Sequence, residues 1–496
     1  MGCNLKDETS ELKEKTIRGG SAKVCATSAS LLLRLGSLIV LARLLDPRDF
    51  GLVGMVTALT GVLSLFRDFG LSAASVQRGT VTKEQTSTLF WINVAVGAAL
   101  TGIGLLAAPL VSAFYKEPRL FWVTCVVATG FIINGAGVQH SALLQRKMRF
   151  TTLALIDVTS LLISIVIAVS MARARYGYWA LVAMTISAPL VTTAGFWVTT
   201  GWIPGMPRRN AGIRSMLRFG SLMTLNSIVC YVGSNFEKVL IGRFWGADAI
   251  GIYGRAYQLI RIPTDVLNSA VGEVAFSALS KLQGDPNRLR RYFLKGYALV
   301  VAVTLPVTVA CALFADDVIA ALLGPKWKDA VEIFRLLAPT ILAFAMANPL
   351  GWLLGSIGLV GRAVRIALVF TPLMLVAQVM SLPFGPKGVA FAYSAVMTLW
   401  VGPVIAWAVH GTPISFADVV AALSRPLFSI LVAGSLAFGV RLFCGGMSSP
   451  LARLPLEVTV LVVGYLAVLL FDSEQRSLYL NVFRGLKRPA AVTERA

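Results

Sequence analysis

The sequence predicts an all-α integral membrane protein of about 14 transmembrane helices, two lobes of six followed by two more. Three observations lead there. The 496 residues are 56% hydrophobic and 14% charged, with a mean hydropathy of +0.75, whereas an ordinary globular domain carries about a quarter charged residues. Apolar runs of about 20 residues, each long enough to cross a bilayer, recur from residue 24 to residue 472. The third observation is an internal repeat. Without a gap, Arg18, Gly20, Ser21, Arg43, Gly51 and Gly54 align with Arg218, Gly220, Ser221, Arg243, Gly251 and Gly254. The matches fall at both ends of an apolar helix, where chain punctuation matters most.

The first six spans are read at roughly 24–42, 51–72, 88–114, 120–140, 152–172 and 178–199, with boundaries good to a few residues. They follow a polar cytoplasmic segment, 1–22, that lacks the apolar stretch of a signal peptide. Together they form an N-lobe, 23–200, closed by the Pro-containing linker GWIPGMPRRNAG at 201–212. A C-lobe, 213–411, holds the next six, roughly at 219–242, 250–279, 293–315, 331–357, 364–384 and 387–409. Two additional helices, roughly 426–444 and 455–472, lie within 412–472, and a basic tail covers 473–496. Pro263, Pro306, Pro339, Pro349, Pro372 and Pro403 fall in or beside spans, where each removes a backbone donor and kinks its helix.

Charge sets the orientation. Lys and Arg concentrate in alternate loops, including Lys13, Lys15, Arg146, Lys147, Arg149, Arg208, Arg209, Arg288, Arg290, Arg291 and Arg362 on one side. The opposite side holds fewer, among them Arg43, Arg48, Lys116, Arg119, Lys326 and Lys328. By the positive-inside rule both termini are cytoplasmic, and the two halves share one orientation. The net charge of +21 therefore reads as topology. A nucleic-acid partner is not expected, since it would need a soluble domain with a basic face.

No connecting loop exceeds about 20 residues, too short for a folded domain. No Walker A sequence, HExxH or dinucleotide fingerprint occurs, so no cofactor, metal site or catalytic residue is expected. The six cysteines show no metal-ligand spacing. Of the two histidines, His140 is placed at the cytoplasmic end of the fourth span in a solvated, interfacial role.

Candidate site residues are the polar groups inside spans, since an ionisable side chain there costs roughly 2.5–3.5 kcal/mol on insertion scales. Thr27, Ser30, Arg34 and Ser37 fall on one face of the first span. No acid within a turn of its own helix pairs Arg34. In the seventh span Ser227, Tyr231, Ser234 and Lys238 form a similar stripe, broadened by Asn226, Asn235 and Glu237. The eighth carries Arg261, Asp265 and Asn268 on one face, with Glu273 further along, and the fifth carries Asp157, Ser160 and Ser164. Ser and Thr read first as ordinary helix contacts. Glu237 with Lys238, and Arg261 with Asp265, read equally as pairs neutralised in place or as site residues. Arg335 and Glu332 open the tenth span at the interface. The repeat sets Ser227 opposite Thr27 and Ser234 opposite Arg34, so the stripes share a phase in both halves while their charges differ.

Three stretches carry a family resemblance: LARLLDPRDFGLVGM (41–55), FRDFGLSAASVQRG (66–79) and SNFEKVLIGRFWGADAIGIYGRAYQL (234–259). They resemble polysaccharide flippases of the Wzx type, in the exopolysaccharide, colanic acid and succinoglycan branch of the superfamily that includes MATE multidrug transporters. The resemblance covers about residues 15–410 and implies two six-helix lobes in a V around a central cavity. It implies a bacterial inner-membrane transporter that moves undecaprenyl-diphosphate-linked oligosaccharide for exopolysaccharide or lipopolysaccharide synthesis, without enzymatic chemistry. Its partners would be membrane lipids and the polymerase and chain-length or export machinery. In such a cationic cavity Arg34, Lys238 and Arg261 would bind substrate, and Thr27, Ser30, Asn226, Tyr231, Asn235 and Asn268 would add polar contacts. Asp157, Glu237, Asp265 and Glu273 would be the acids available for ion coupling. The competing readings are a membrane polymerase or ligase, which would want a large external loop, and a cation-coupled drug exporter, which would want a dominant acidic site.

Overall fold

The structure is a computed structural model that describes residues 25–66, 82–207, 214–443 and 450–471. The N-terminal segment, most of 66–79, the end of the linker and the basic tail lie outside these residues. Every expected span falls on helix over its described part, and the described residues contain no strand. Among the described residues, ten stretches satisfy length and hydropathy for membrane crossing by themselves.

The chain divides into two compact units, Met1–Gly254 and Arg255–Ala496. The first holds α1 (Cys25–Leu44), α2 (Pro47–Ser64), α3 (Lys83–Tyr115), α4 (Arg119–Arg146), α5 (Phe150–Arg173), α6 (Trp179–Thr200) and the first part of α7 (Arg214–Lys281). Local sequence starts and stops these helices. Pro47 occupies the first turn of α2, and the Asp49 carboxylate accepts from the Asp46 N–H at 3.2 Å. Thr82 and Gln85 cap α3 reciprocally, Gln85 N–H to Thr82 Oγ1 at 3.2 Å and Thr82 N–H to Gln85 Oε1 at 3.1 Å.

Small residues then set how closely helices approach. Lipid is as apolar as Leu, so membrane helices associate through van der Waals contact rather than through hydrophobic exclusion. A Cβ on Gly97 of α3 would sit 2.7 Å from the Phe131 carbonyl oxygen, and one on Gly135 of α4 2.6 Å from that of Asn93. Thr101 fastens the same crossing by donating to the Ala128 carbonyl at 2.9 Å.

A second close crossing joins the repeat-related segments. A Cβ on Gly51 would overlap the Ala247 carbonyl, and a Cβ on Gly251 would overlap the Pro47 carbonyl. Residues 47 and 51 are the partners of 247 and 251 in the sequence repeat. The contact is therefore isologous: each segment presents to the other the same positions that it receives. Next to it, Gly246 takes φ 82° and ψ −172°, breaking α7 into two helical parts. An L side chain rarely adopts that φ, so glycine is required at this turn.

The second unit continues α7 and adds α8 (Pro286–Leu313), the short α9 (Ala315–Leu322) and α10 (Ala330–Leu337), α11 (Pro339–Ser356), α12 (Val360–Ser381), α13 (Gly385–Val409), α14 (Phe416–Phe443) and α15 (Pro450–Leu469). One apolar core runs through it, from Tyr297, Val301 and Leu305 of α8 through Leu353 of α11 and Ile405 of α13 to Ile430 of α14 and Leu461 and Tyr465 of α15. The Tyr465 hydroxyl donates to the Ala302 carbonyl at 2.9 Å. At their N-terminal ends Arg290 of α8 grips Asp418 of α14 with two parallel bonds of 2.8 and 2.6 Å. The last two helices are thus built into the core of this unit.

Gly51→Ala and Gly251→Ala are each expected to cut the yield of monodisperse protein in detergent extracts several-fold. Gly54→Ala, whose Cβ would have nothing nearer than 3.8 Å, should leave it unchanged. Equal size-exclusion profiles for all three would remove the crossing as a folding requirement.

Candidate functional site

Arg34 projects from the middle of α1 and is exposed on the protein surface. An acid within electrostatic reach of it is Asp157 of α5, itself exposed. Sequence spacing along α1 hid this partner, because it comes from another helix. Thr27 is exposed and Ser30 half-buried on the same helix, while Ser37 is buried and donates to the Arg34 carbonyl at 2.8 Å. The α5 stripe separates into two roles. Ser160 is buried between helices, donating to the Ala188 carbonyl at 2.6 Å and accepting from Thr192 at 2.6 Å, and Ser164 turns back on Leu161. These serines are helix contacts; Asp157 stays at the surface.

On α7 the chain Lys238–Asn235–Tyr231 is one hydrogen-bonded ladder. Lys238 Nζ donates to Asn235 Oδ1 at 2.7 Å, and the Asn235 amide donates to the Tyr231 carbonyl at 3.0 Å. The Tyr231 hydroxyl leaves the ladder and reaches α2, donating to the carbonyls of Thr57 and Ala58 at 3.2 and 3.3 Å. Gly61 leaves the space that this hydroxyl occupies. Glu237 is 0% exposed, whereas its neighbour Lys238 is half-buried, so adjacent charges point to different surroundings. The side chains of Asn226, Ser227 and Ser234 lie outside the described residues.

In the second unit Arg261 pairs with Asp265 at 2.9 Å, both partly exposed, and its guanidinium lies 5.0 Å from the centre of the Phe344 ring. Asn268 is exposed on the same helix, and the Glu273 side chain lies outside the described residues. Arg335, read as interfacial, pairs with Asp316 at 2.6 Å, and Glu332 pairs with Lys387.

His140 corrects the sequence reading. It is 0% exposed rather than solvated, with Nδ1 2.7 Å from Thr200 Oγ1. The Trp197, Trp202 and Phe90 rings surround it at 4.4, 5.2 and 6.0 Å between centroids. The start of the linker supplies part of this cage: Trp202 covers the imidazole, Gly205 N–H donates to Ser87 at 3.0 Å, and Trp91 donates to the Gly205 carbonyl at 2.9 Å. A lone interfacial histidine in sequence gives no hint that three aromatic rings fold over it.

Also missed were the ion pairs of Asp316 with Arg441 and of Asp317 with Arg453. Their members stand far apart in the chain, so no spacing announces them. Among the described residues no cluster of His, Cys, Asp and Glu could hold a metal ion.

The helical units, their small-residue crossings and their intramembrane cations can be compared with known proteins. The profile of the family described as polysaccharide biosynthesis protein matches residues 40–332, more than half of the chain. The chain belongs to that family. It is 28% identical to the lipopolysaccharide biosynthesis protein WzxC of Escherichia coli (strain K12), over 69% of this chain and 70% of the relative. It is 31% identical to the teichuronic acid biosynthesis protein TuaB of Bacillus subtilis (strain 168), over 57% of this chain and 59% of the relative. Its fold is that of the lipid II flippase MurJ in an inward closed conformation, with a TM-score of 0.73 at 13% identity, covering 94% of this chain and 99% of the other. The family member described here is therefore a multi-pass membrane protein of the flippase fold.

Tyr231→Phe removes the only donor of the hydroxyl and should cost about 1 kcal/mol of stability, read as a lower melting temperature of the purified protein. Transport should persist, because the change leaves Asn235 and Lys238 in place. A loss of transport at unchanged melting temperature would move Tyr231 from scaffold to site.

Proposed function

We propose that the protein is a flippase that moves undecaprenyl-diphosphate-linked oligosaccharide units across the bacterial inner membrane by alternating access, for exopolysaccharide or lipopolysaccharide synthesis. The observation that carries this reading is family membership from residue 40 to residue 332. WzxC and TuaB are named for the biosynthesis of surface polymers, and the MurJ fold belongs to a flippase of a lipid-linked precursor. In this reading the termini are cytoplasmic, as the loop charges require. The lobes are 23–200 and 213–411, joined by the linker at 201–212 and followed by the helices of 412–472.

The cargo has an anionic diphosphate, a polar sugar head and an apolar tail. The head must cross a region where a bare charge is costly, so a cationic donor is the chemistry required. Arg34 fits it. Its planar guanidinium offers paired donors to phosphate oxygens, and Asp157 holds a counter-charge within reach while the site is empty. Binding of the diphosphate exchanges one anion for another at the guanidinium and avoids leaving a naked charge. Lys238 and Arg261 add positive charge, each already oriented, one by Asn235 and the other by Asp265 and Phe344. Thr27, Ser30, Asn226, Asn235 and Asn268 supply hydroxyls and amides for the sugar. Asp157, Glu237, Asp265 and Glu273 are the acids through which ion coupling would run. Two halves of one orientation suit a rocking exchange between sides.

Arg34→Ala should abolish polymer export while the protein stays in the membrane at its normal level, and Arg34→Lys should be milder. Export is read as surface polymer, with the lipid-linked intermediate in the deletion strain assayed for its leaflet. Accumulation on the cytoplasmic face is expected. Normal polymer in the deletion strain together with new drug sensitivity would instead make the protein a drug exporter.

A further inference from the structure

Three acids and three arginines converge where α9 meets the C-terminal end of α14 and the N-terminal end of α15. Arg335 of α10 and Arg441 of α14 both pair with Asp316, at 2.6 and 2.7 Å. Arg453 of α15 points Nε at both oxygens of Asp317, 3.2 Å from each, and adds an ion pair through Nη2. Asp317 is 1% exposed.

The third acid, Glu457, lies one turn along α15 from Arg453. It is 0% exposed, and neither of its oxygens accepts a hydrogen bond. Arg453 Nε stands 3.9 Å from its Oε1, beyond hydrogen-bonding range. Asp317 faces it from α9 with its carboxyl within hydrogen-bonding reach, and Arg441 faces it from α14; both are already engaged in the pairs above. Over 296–313, α8, which also packs on α15, carries only Tyr297 and Cys311 as titratable groups.

A buried carboxylate keeps its charge when donors satisfy its oxygens; without them the charged form is strongly disfavoured. The Arg453 fork can be bidentate to one carboxylate at a time, and here it serves Asp317. Glu457 therefore has the surroundings of a neutral acid beside a second acid, an arrangement in which one proton is shared between coupled sites. The geometry points to a proton-binding site at Glu457, whose deprotonation draws Arg453 away from Asp317 and loosens α15 from α9. The step conserves atoms and charge: the carboxyl O–H breaks, the proton is released to bulk water when this end of the helix loosens, and the carboxylate takes over the guanidinium. The loop charges put this end of α15 on the outer face, so the switch answers to the pH outside. It does not depend on what the protein transports.

The test uses the full-length protein in vesicles of phosphatidylethanolamine and phosphatidylglycerol. Infrared difference spectra between about pH 4 and about pH 9 are taken for the wild type, Glu457→Gln and Asp317→Asn. The amide closely matches a neutral carboxyl in shape, so the first variant should fold. The wild-type spectrum should contain a carboxylic C=O band that Glu457→Gln loses. Amide protection at the start of α15, taken relative to the base-catalysed intrinsic exchange rate at each pH, should fall several-fold as pH rises in the wild type and keep its low-pH value in Glu457→Gln. A band retained in Glu457→Gln but lost in Asp317→Asn would overturn the assignment. So would the absence of any band that distinguishes wild type from Glu457→Gln, or wild-type protection that does not change with pH.

Discussion

The backbone crossing at Gly51 and Gly251 is the constraint on which the first unit depends. Two helices meet so closely that each glycine lies against a carbonyl of the other segment. Nothing larger fits, and no hydrophobic force between helices in lipid would replace the lost contact. Because the partners are repeat-related, one geometry satisfies both sides of the crossing. It sets α2 beside α7, which brings the Thr57 and Ala58 carbonyls to the Tyr231 hydroxyl. That in turn fixes the face of α7 on which Asn235 and Lys238 stand and the opposite surroundings of Glu237.

Polar side chains divide by what they satisfy. Each helix already pairs its own backbone, so a hydroxyl or indole between helices finds a carbonyl lone pair, as Thr101 does at Ala128, Ser160 at Ala188, Trp197 at Ala136 and Tyr465 at Ala302. These bonds orient helices. The cations Arg34 and Arg261 behave differently: Arg34 is exposed with Asp157 in electrostatic reach, and Arg261 stays partly exposed in its pair with Asp265.

The last two helices are clamped at both ends. Arg290 holds Asp418 at one end; Asp316 and Asp317 hold Arg441 and Arg453 at the other, over an apolar core that includes Leu461 and Tyr465. Ion pairs with a buried member resist separation because either charge left alone would be uncompensated. Movement of α14 and α15 against α8 and α9 therefore needs re-pairing of these charges, and Arg453, with Glu457 one turn away, has a second carboxylate available.

Much of this protein was legible in its residues. Apolar length places the spans, since a bilayer imposes a minimum that composition either meets or fails. Gly51 and Gly251 stand out through the repeat. What distance along the chain could not reveal were contacts made between helices. Asp157 near Arg34, the aromatic cage over His140, and Asp317 with Arg453 join residues from separate elements, so no periodicity or spacing encodes them. Local rules act within a turn or two of chain, whereas burial and pairing of charge depend on which helices become neighbours. That choice is made by close packing of small residues, and it decided that His140 is enclosed, that Ser160 is scaffold and that Glu457 lacks a donor.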